Sequence, residues 1–128
     1  GLTALVTGAT AGIGLAVALE LAAHSAEVAV HGRDPGRGSE VLDEITRRGG
    51  RGRFIAADLT SADETARLAA EAGDVDILVN NAGIYDFSPT AATSVDSFDR
   101  QFAINTRAPF LLVGALAPRW RNAATARS

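Results

Sequence analysis

The sequence predicts a doubly wound α/β fold built on a parallel sheet, and three observations carry that expectation. Short apolar runs alternate with helical stretches four times along the chain. The first run, residues 2–7, is apolar without alternation, as expected of a strand buried on both faces. It ends in a glycine loop that leads straight into a helix, the arrangement of a right-handed strand-helix-strand crossover.

The elements follow in order. After the first strand, Ile13, Val17 and Leu21 recur at four-residue spacing with Ala between them, which predicts a helix over 13–24 that packs closely on the sheet. Residues 27–31 read as the second strand, and the Gly and Pro of 32–38 break the chain. Val41, Leu42 and Ile45 share one face of a helix over 37–48, ended by Gly49 and Gly50. Residues 53–57 form the third strand. Ser61 and Glu64 make a capping-box pattern that opens a helix running to Ala72, before Gly73. Residues 75–79 form the fourth strand, 84–93 a loop, and 95–116 a long helix with Phe98 and Phe102 one turn apart and expected in the core. Residues 1–121 are thus expected to form one domain and 122–128 an irregular tail. With no apolar run for a fifth strand, the fourth would present an unpaired edge, and self-association is expected.

Composition narrows the function. At 128 residues, 47% hydrophobic and 21% charged, the chain can bury one core but not two full domains. A net charge of -3 gives no reason to expect nucleic acid or an anionic membrane as a partner. A small neutral or mildly charged ligand is expected instead. Cysteine is absent, so disulfides, thiolate metal sites and cysteine nucleophiles are excluded, and the cytoplasm is the expected compartment. No apolar run approaches the roughly 20 residues of a membrane-spanning helix. His24 and His31 stand apart without other ligands, so no metal site is expected. Arg119-Trp120-Arg121 reads as a helix end or an oligomer contact. Met is absent and Gly1 directly precedes the first strand, so the start is expected to be trimmed.

The chemistry is concentrated in Thr7-Gly8-Ala9-Thr10-Ala11-Gly12-Ile13-Gly14. Between a first strand and a first helix, Gly8 permits a tight turn, Gly12 lets the backbone approach a pyrophosphate, and Gly14 lets the helix lie close to the strand. The helix N-terminus supplies unpaired N–H groups and a favourable dipole for phosphates. A merely tight turn is the alternative. Farther along, Asp58-Leu59 follows the third strand and Asn80-Asn81-Ala82-Gly83 follows the fourth. Asn105 lies four residues before Pro109, which has no N–H to offer the Asn105 carbonyl and is expected to kink the helix.

Those four elements, in that order and spacing, resemble the short-chain dehydrogenase/reductase family, and the resemblance runs to about Arg119. It implies a Rossmann-like domain, here the first four strands with flanking helices. It also implies hydride transfer between a nicotinamide cofactor and a carbonyl or alcohol carbon. By the same resemblance, Gly8, Thr10, Gly12, Ile13 and Gly14 hold the cofactor, Asp58 and Leu59 lie against its adenine, and Asn81, Ala82 and Gly83 flank it. Asn105 is the catalytic residue implied, holding a relay water through its backbone carbonyl. The family's long helix builds a subunit interface, so a homo-oligomer is expected of a complete relative.

Cofactor choice turns on the end of the second strand, where a carboxylate would bind the ribose of NAD. Gly32 stands there, followed by Arg33, whose guanidinium suits a phosphate, so NADP is expected over NAD. Asp34 argues the other way, because a small shift would carry its carboxylate to the ribose. The family's catalytic serine, tyrosine and lysine are not found. All 12 basic residues are Arg, and the only tyrosine lies in Tyr85-Asp86-Phe87-Ser88-Pro89, not Tyr-x-x-x-Lys. Ser88 and Ser128 lie outside the family's serine context. A truncated or frame-disrupted reductase, inactive alone, is the leading expectation. The alternatives are a nonenzymatic NADP-binding module and an inactive remnant.

Overall fold

The computed structural model describes residues 1–127, side chains at 119 and 121–127 excepted. Its frame is a four-stranded parallel sheet in the order β3-β2-β1-β4, made of β1 (Thr3–Val6), β2 (Glu27–Gly32), β3 (Arg51–Ala56) and β4 (Ile77–Val79). Helices α1 (Gly12–Ala23) and α2 (Pro35–Arg47) follow β1 and β2, and α3 (Ala62–Ala72) follows β3. After β4 come a 3-10 turn (Thr90–Ala92), α4 (Val95–Phe102), a π turn (Ala103–Arg107) and α5 (Ala108–Arg127). The architecture is Rossmann-like.

The period-two geometry of a strand sorts its side chains into two cores. Val6, Val28 and Val30 face α1 and α2, where they meet Ala18, Ala22, Val41 and Ile45. Leu5 and Ala29 face the other way, onto Leu68 of α3 and Ile104, Leu112 and Leu116 of the π turn and α5. Both faces of the sheet are therefore covered at its centre, which is why β1 and most of β2 read as apolar without alternation.

Side chains mark the helix ends. Asp34 caps α2, its Oδ1 accepting from the Gly36 N–H at 2.8 Å, and Pro35 opens the helix. Ser61 caps α3 by accepting from the Glu64 N–H. The expected capping box is only half formed, because Glu64 Oε1 accepts instead from the Asp58 N–H at 3.1 Å. At the other end of α3, Arg53 of β3 donates to the Glu71 and Ala72 carbonyls at 2.7 and 2.5 Å, placing a cation where the helix dipole is negative.

Three expectations are corrected. In α1 the row against the sheet is Gly14, Ala18 and Ala22, not Ile13, Val17 and Leu21, and Ile13 is 76% exposed. Small residues let the helix axis come close to the strands, so the larger ones are displaced to its flanks. Phe98 and Phe102 are not core: they are 62% and 52% exposed and stack on each other at 6.3 Å. Phe102 lies two residues before buried Ile104 and so nearly opposite it around the helix axis. Finally, 122–127 continue α5, since Ala- and Arg-rich sequence favours helix. Ser128 lies outside the described residues. Trp120 is a packing residue, its Nε1 donating to the Val75 carbonyl at 2.8 Å against the second core.

Among the described residues, no helix is long and apolar enough to cross a membrane. Among the same described residues, no group of three or more His, Asp or Glu side chains is placed to hold a metal ion.

Replacing Arg53 with Ala is expected to cost about 1–2 kcal/mol, because two helix-end carbonyls lose a charged donor; urea melts read this directly, and an unchanged midpoint would contradict it. The outer edge of β4 and exposed Phe98, Phe102 and Phe110 predict concentration-dependent association of the chain. Sedimentation velocity at increasing concentration checks this, and a monodisperse monomer throughout would count against it.

Candidate cofactor-binding site

The carboxyl ends of the strands converge on one open cleft, at the place where the strand order reverses from β2 and β3 on one side of β1 to β4 on the other. Two loops form its floor, the glycine loop after β1 and the turn after β4, and a buried hydroxyl joins them. Thr7, 1% exposed, uses Oγ1 to accept from the N–H groups of Asn81 and Ala82, both at 3.0 Å. Asn81 returns the connection, its Nδ2 donating to the Gly8 carbonyl at 3.0 Å.

This tight junction leaves no room for side chains. A Cβ on Gly14 would stand 2.2 Å from the Gly8 oxygen and 2.4 Å from Asn81 Nδ2. Gly8, at φ +59°, would place a Cβ 2.9 Å from the Ala82 Cα. Gly12 differs: its φ of +57° favours glycine, but nothing lies within 4 Å of where its Cβ would be. The backbone there faces open space, at the start of a helix whose N-cap, Ala11, makes no side-chain cap and whose first turn has no acidic residue. Unsatisfied N–H groups beside open space form a place for an anion.

Gly8, Thr10, Arg33, Asp58, Leu59, Ala82 and Gly83 line the cleft together. Thr10 packs over Gly32, whose Cβ would meet the Thr10 methyl at 2.7 Å. Asp58 Oδ1 accepts from the Thr60 hydroxyl and N–H at 2.7 and 2.9 Å. These bonds hold its carboxyl below the usual carboxylate range; burial opposes them, and Arg33 and Arg100 add smaller favourable effects. The segment is pinned from behind by Arg107 of the π turn, which donates to the Thr60 carbonyl at 2.6 Å.

The remaining predicted positions stand elsewhere. Gly12 and Ile13 lie on the exposed start of α1, while Gly14 and Asn81 lie beneath the junction. Asn105 turns its side chain away to clamp the backbone of Ile84, accepting from its N–H at 2.8 Å and donating to its carbonyl at 2.6 Å. The kink expected at Pro109 is instead a π turn, in which the Ala108 N–H reaches back five residues to the Ala103 carbonyl. Asp34 is occupied at the α2 N-terminus.

Sequence reasoning missed His31, Ala57, Ile84, Arg100 and Ile104 as cleft residues. His31 carried a signal, a polar residue ending an otherwise apolar strand. Arg100 carried none, because its reach into the cleft depends on the rotation of α4.

A family model for short chain dehydrogenases matches residues 2–127. The chain belongs to that family of oxidoreductases. It is 43% identical over 117 residues to the hydroxynaphthalene reductase-like protein Arp2 of Metarhizium robertsii, covering 88% of this chain and 44% of that protein. A solved structure of a short chain dehydrogenase/reductase family protein is 48% identical with a TM-score of 0.86, covering 93% of this chain and 49% of the other. A metagenomic short-chain oxidoreductase, solved in complex with NADP, is 37% identical with a TM-score of 0.90, covering 95% and 57%. The chain thus spans about half the length of the relatives it matches.

Thr7→Val keeps the shape of the side chain and removes the shared acceptor, stranding the Ala82 N–H while the Asn81 N–H keeps the Val79 carbonyl at 3.1 Å. It is expected to destabilise the chain by about 1–2 kcal/mol, measured by denaturant titration. A loss below about 0.5 kcal/mol would show that the two loops do not depend on this hydroxyl.

Proposed function

We propose that this chain is the NADP-binding part of an oxidoreductase that moves hydride between a nicotinamide and a carbonyl or alcohol carbon of a small molecule. The observation that carries the reading is the glycine loop, which lines the cleft with Gly8 and Thr10 over a floor tied together through Thr7 and Asn81 and then runs into the uncapped start of α1, where Gly12 faces open space. Its open backbone and free N–H groups fit a pyrophosphate. Gly8, Thr10, Gly12, Ile13 and Gly14 would hold that group. Asp58 and Leu59 would lie against the adenine, and Ala82 and Gly83 against the ribose nearer the reacting ring. The bound cofactor supplies the hydride chemistry, and the protein supplies position and charge.

Preference for NADP rests on two placements. Arg33 stands in the cleft at the end of β2, while the Asp34 carboxylate that could have bound a ribose hydroxyl is spent on capping α2. Arg100 brings a second guanidinium to the same cleft. The relative solved with NADP supports the same choice.

Asn105 would serve the reaction through its backbone carbonyl. Pro109 cannot donate to it, and the side-chain clamp on Ile84 fixes where the residue sits. The proton donor is not among these 128 residues, which contain no lysine and only Tyr85, an exposed residue beside Phe87. The chain alone therefore binds cofactor without turning over substrate. The exposed phenylalanines of α4 and α5 support a homo-oligomer.

Calorimetric titration tests the reading. NADPH is expected to bind at least about tenfold tighter than NADH, and Arg33→Ala to erase most of that difference while leaving NADH affinity within about twofold. Equal affinities for the two would contradict the NADP preference. Binding of neither would contradict the function.

A further inference from the structure

His31 is a buried histidine, 3% exposed, with both ring nitrogens engaged and no part in the function proposed above. Nδ1 accepts from the Gly8 N–H at 3.0 Å, and Nε2 meets the Ala57 carbonyl at 2.9 Å. The partners leave one protonation state. A backbone N–H can only donate, so Nδ1 must present a lone pair; a carbonyl can only accept, so Nε2 must carry the hydrogen. An imidazolium would set Nδ1–H against the Gly8 N–H and break that bond.

The backbone reinforces the same junction. The His31 carbonyl accepts from the Ala9 N–H at 2.9 Å, and the Gly32 carbonyl accepts from the Ala57 N–H at 3.2 Å. One residue thus joins the glycine loop after β1 to the segment after β3 that carries Asp58, and these are two walls of the cleft.

We propose that His31 is a positioning residue for the cofactor: as a neutral imidazole protonated at Nε2, it sets the spacing between Gly8 and the Ala57–Asp58 wall, so dinucleotide affinity falls when it gains a proton. The inference rests on the dinucleotide reading of the cleft. Burial, opposed by the bond to Ala57 and aided by Arg33, holds its pKa below the ordinary histidine value of 6.5. Three charged groups share the cleft with it: Arg33 at its own strand end, Asp58 after β3 and Arg100 on α4. Residues 7–19, the glycine loop and most of α1, contain no ionisable side chain. Arg33 opposes protonation. Asp58 stays ionised through the range in which a histidine titrates, so it does not supply the pH dependence itself.

The sign follows. Because the folded chain favours neutral His31, the stability this contributes is full above pH 6.5 and declines as the pH falls from there toward the folded pKa, whereas affinity declines lower, as the pH falls through the folded pKa and His31 gains its proton. The 2′-phosphate of NADP titrates in the same range, so the comparison needs a variant that keeps the acceptor and lacks the titration. His31→Asn places an amide oxygen near the position of Nδ1. His31→Phe keeps bulk and removes both bonds.

The experiment has two parts, both on the whole 128-residue chain. Long-range nitrogen-proton NMR on histidine-labelled protein reads the tautomer, with His24 as the exposed reference. Titration with NADPH and NADH from pH 7.5 downward reads affinity in wild type and both variants. The inference expects an unprotonated Nδ1 at pH 7.5, an Asn variant close to wild type there, and a Phe variant about tenfold weaker. As the pH falls through the folded His31 pKa, which lies below 6.5, wild type should lose affinity for both cofactors more steeply than the Asn variant. Protonated Nδ1, or wild type and Asn variant declining in parallel, overturns it, and both readings survive a Phe variant that fails to fold. Failure of wild type to bind either dinucleotide at any pH sinks the cofactor reading itself, whatever the tautomer.

Discussion

The structure depends most on the bonding between the glycine loop and the turn after β4. Thr7 is buried, and its hydroxyl accepts from two backbone N–H groups, that of Ala82 and that of Asn81, which also meets the Val79 carbonyl. Asn81 closes the circuit on the Gly8 carbonyl. An unpaired N–H in this buried setting would cost about 1–3 kcal/mol, so the polar network holds the loops by the penalty for breaking it as much as by the bonds themselves. Its compactness also explains the glycines. Gly14 is required because the Gly8 oxygen and Asn81 amide occupy the space where a side chain would begin. Gly12 is required for its backbone angle alone, and the space above it stays open.

The same junction links fold to site. Parallel strands all end at one edge, so every loop that follows a strand delivers its residues to that edge. The second core then sets how the far side of the cleft is built. Ile104, Ala108 and Leu112 anchor the long helical segment, and the π turn between α4 and α5 lets Asn105 clamp Ile84 while Arg107 reaches the Thr60 carbonyl. A π turn adds one residue to the helical circuit, and Asn105 and Arg107, two residues apart in it, serve two different loops. Asp58 and Ile84, distant in sequence, are positioned from a single turn.

Much of this was legible in the sequence. The strands were readable to within about two residues because apolar runs are bounded by glycine or polar turns, and the helices over 35–47 and 62–72 because their apolar faces repeat at helical spacing. Where periodicity misled, size was the missing variable. Ile13, Val17 and Leu21 repeat as regularly as Gly14, Ala18 and Ala22, yet only the small row fits against the sheet. Phe98 and Phe102 form a regular pair, yet α4 buries no residue and turns its polar Ser97 and Gln101 inward onto Asp86, which an apolar pattern does not reveal. The glycine loop, Asp58 and the Asn81 turn were readable because local chain geometry demands those residues. Arg100 and Arg107 were not, because their roles depend on how α4 and α5 dock. Asp34 was readable as a carboxylate near the ribose position, but its use as the α2 cap follows only from where Pro35 starts the helix.

The central claim is that the cleft, together with the uncapped start of α1 that follows its glycine loop, is a dinucleotide site. Backbone amide NMR of the nitrogen-labelled chain, recorded as NADP is added, tests it residue by residue. The account predicts the largest shifts at Gly12, Ile13 and Gly14, with further shifts at Arg33, Asp58, Leu59 and Gly83. Shifts confined to scattered surface arginines, with the first turn of α1 unmoved, would contradict it.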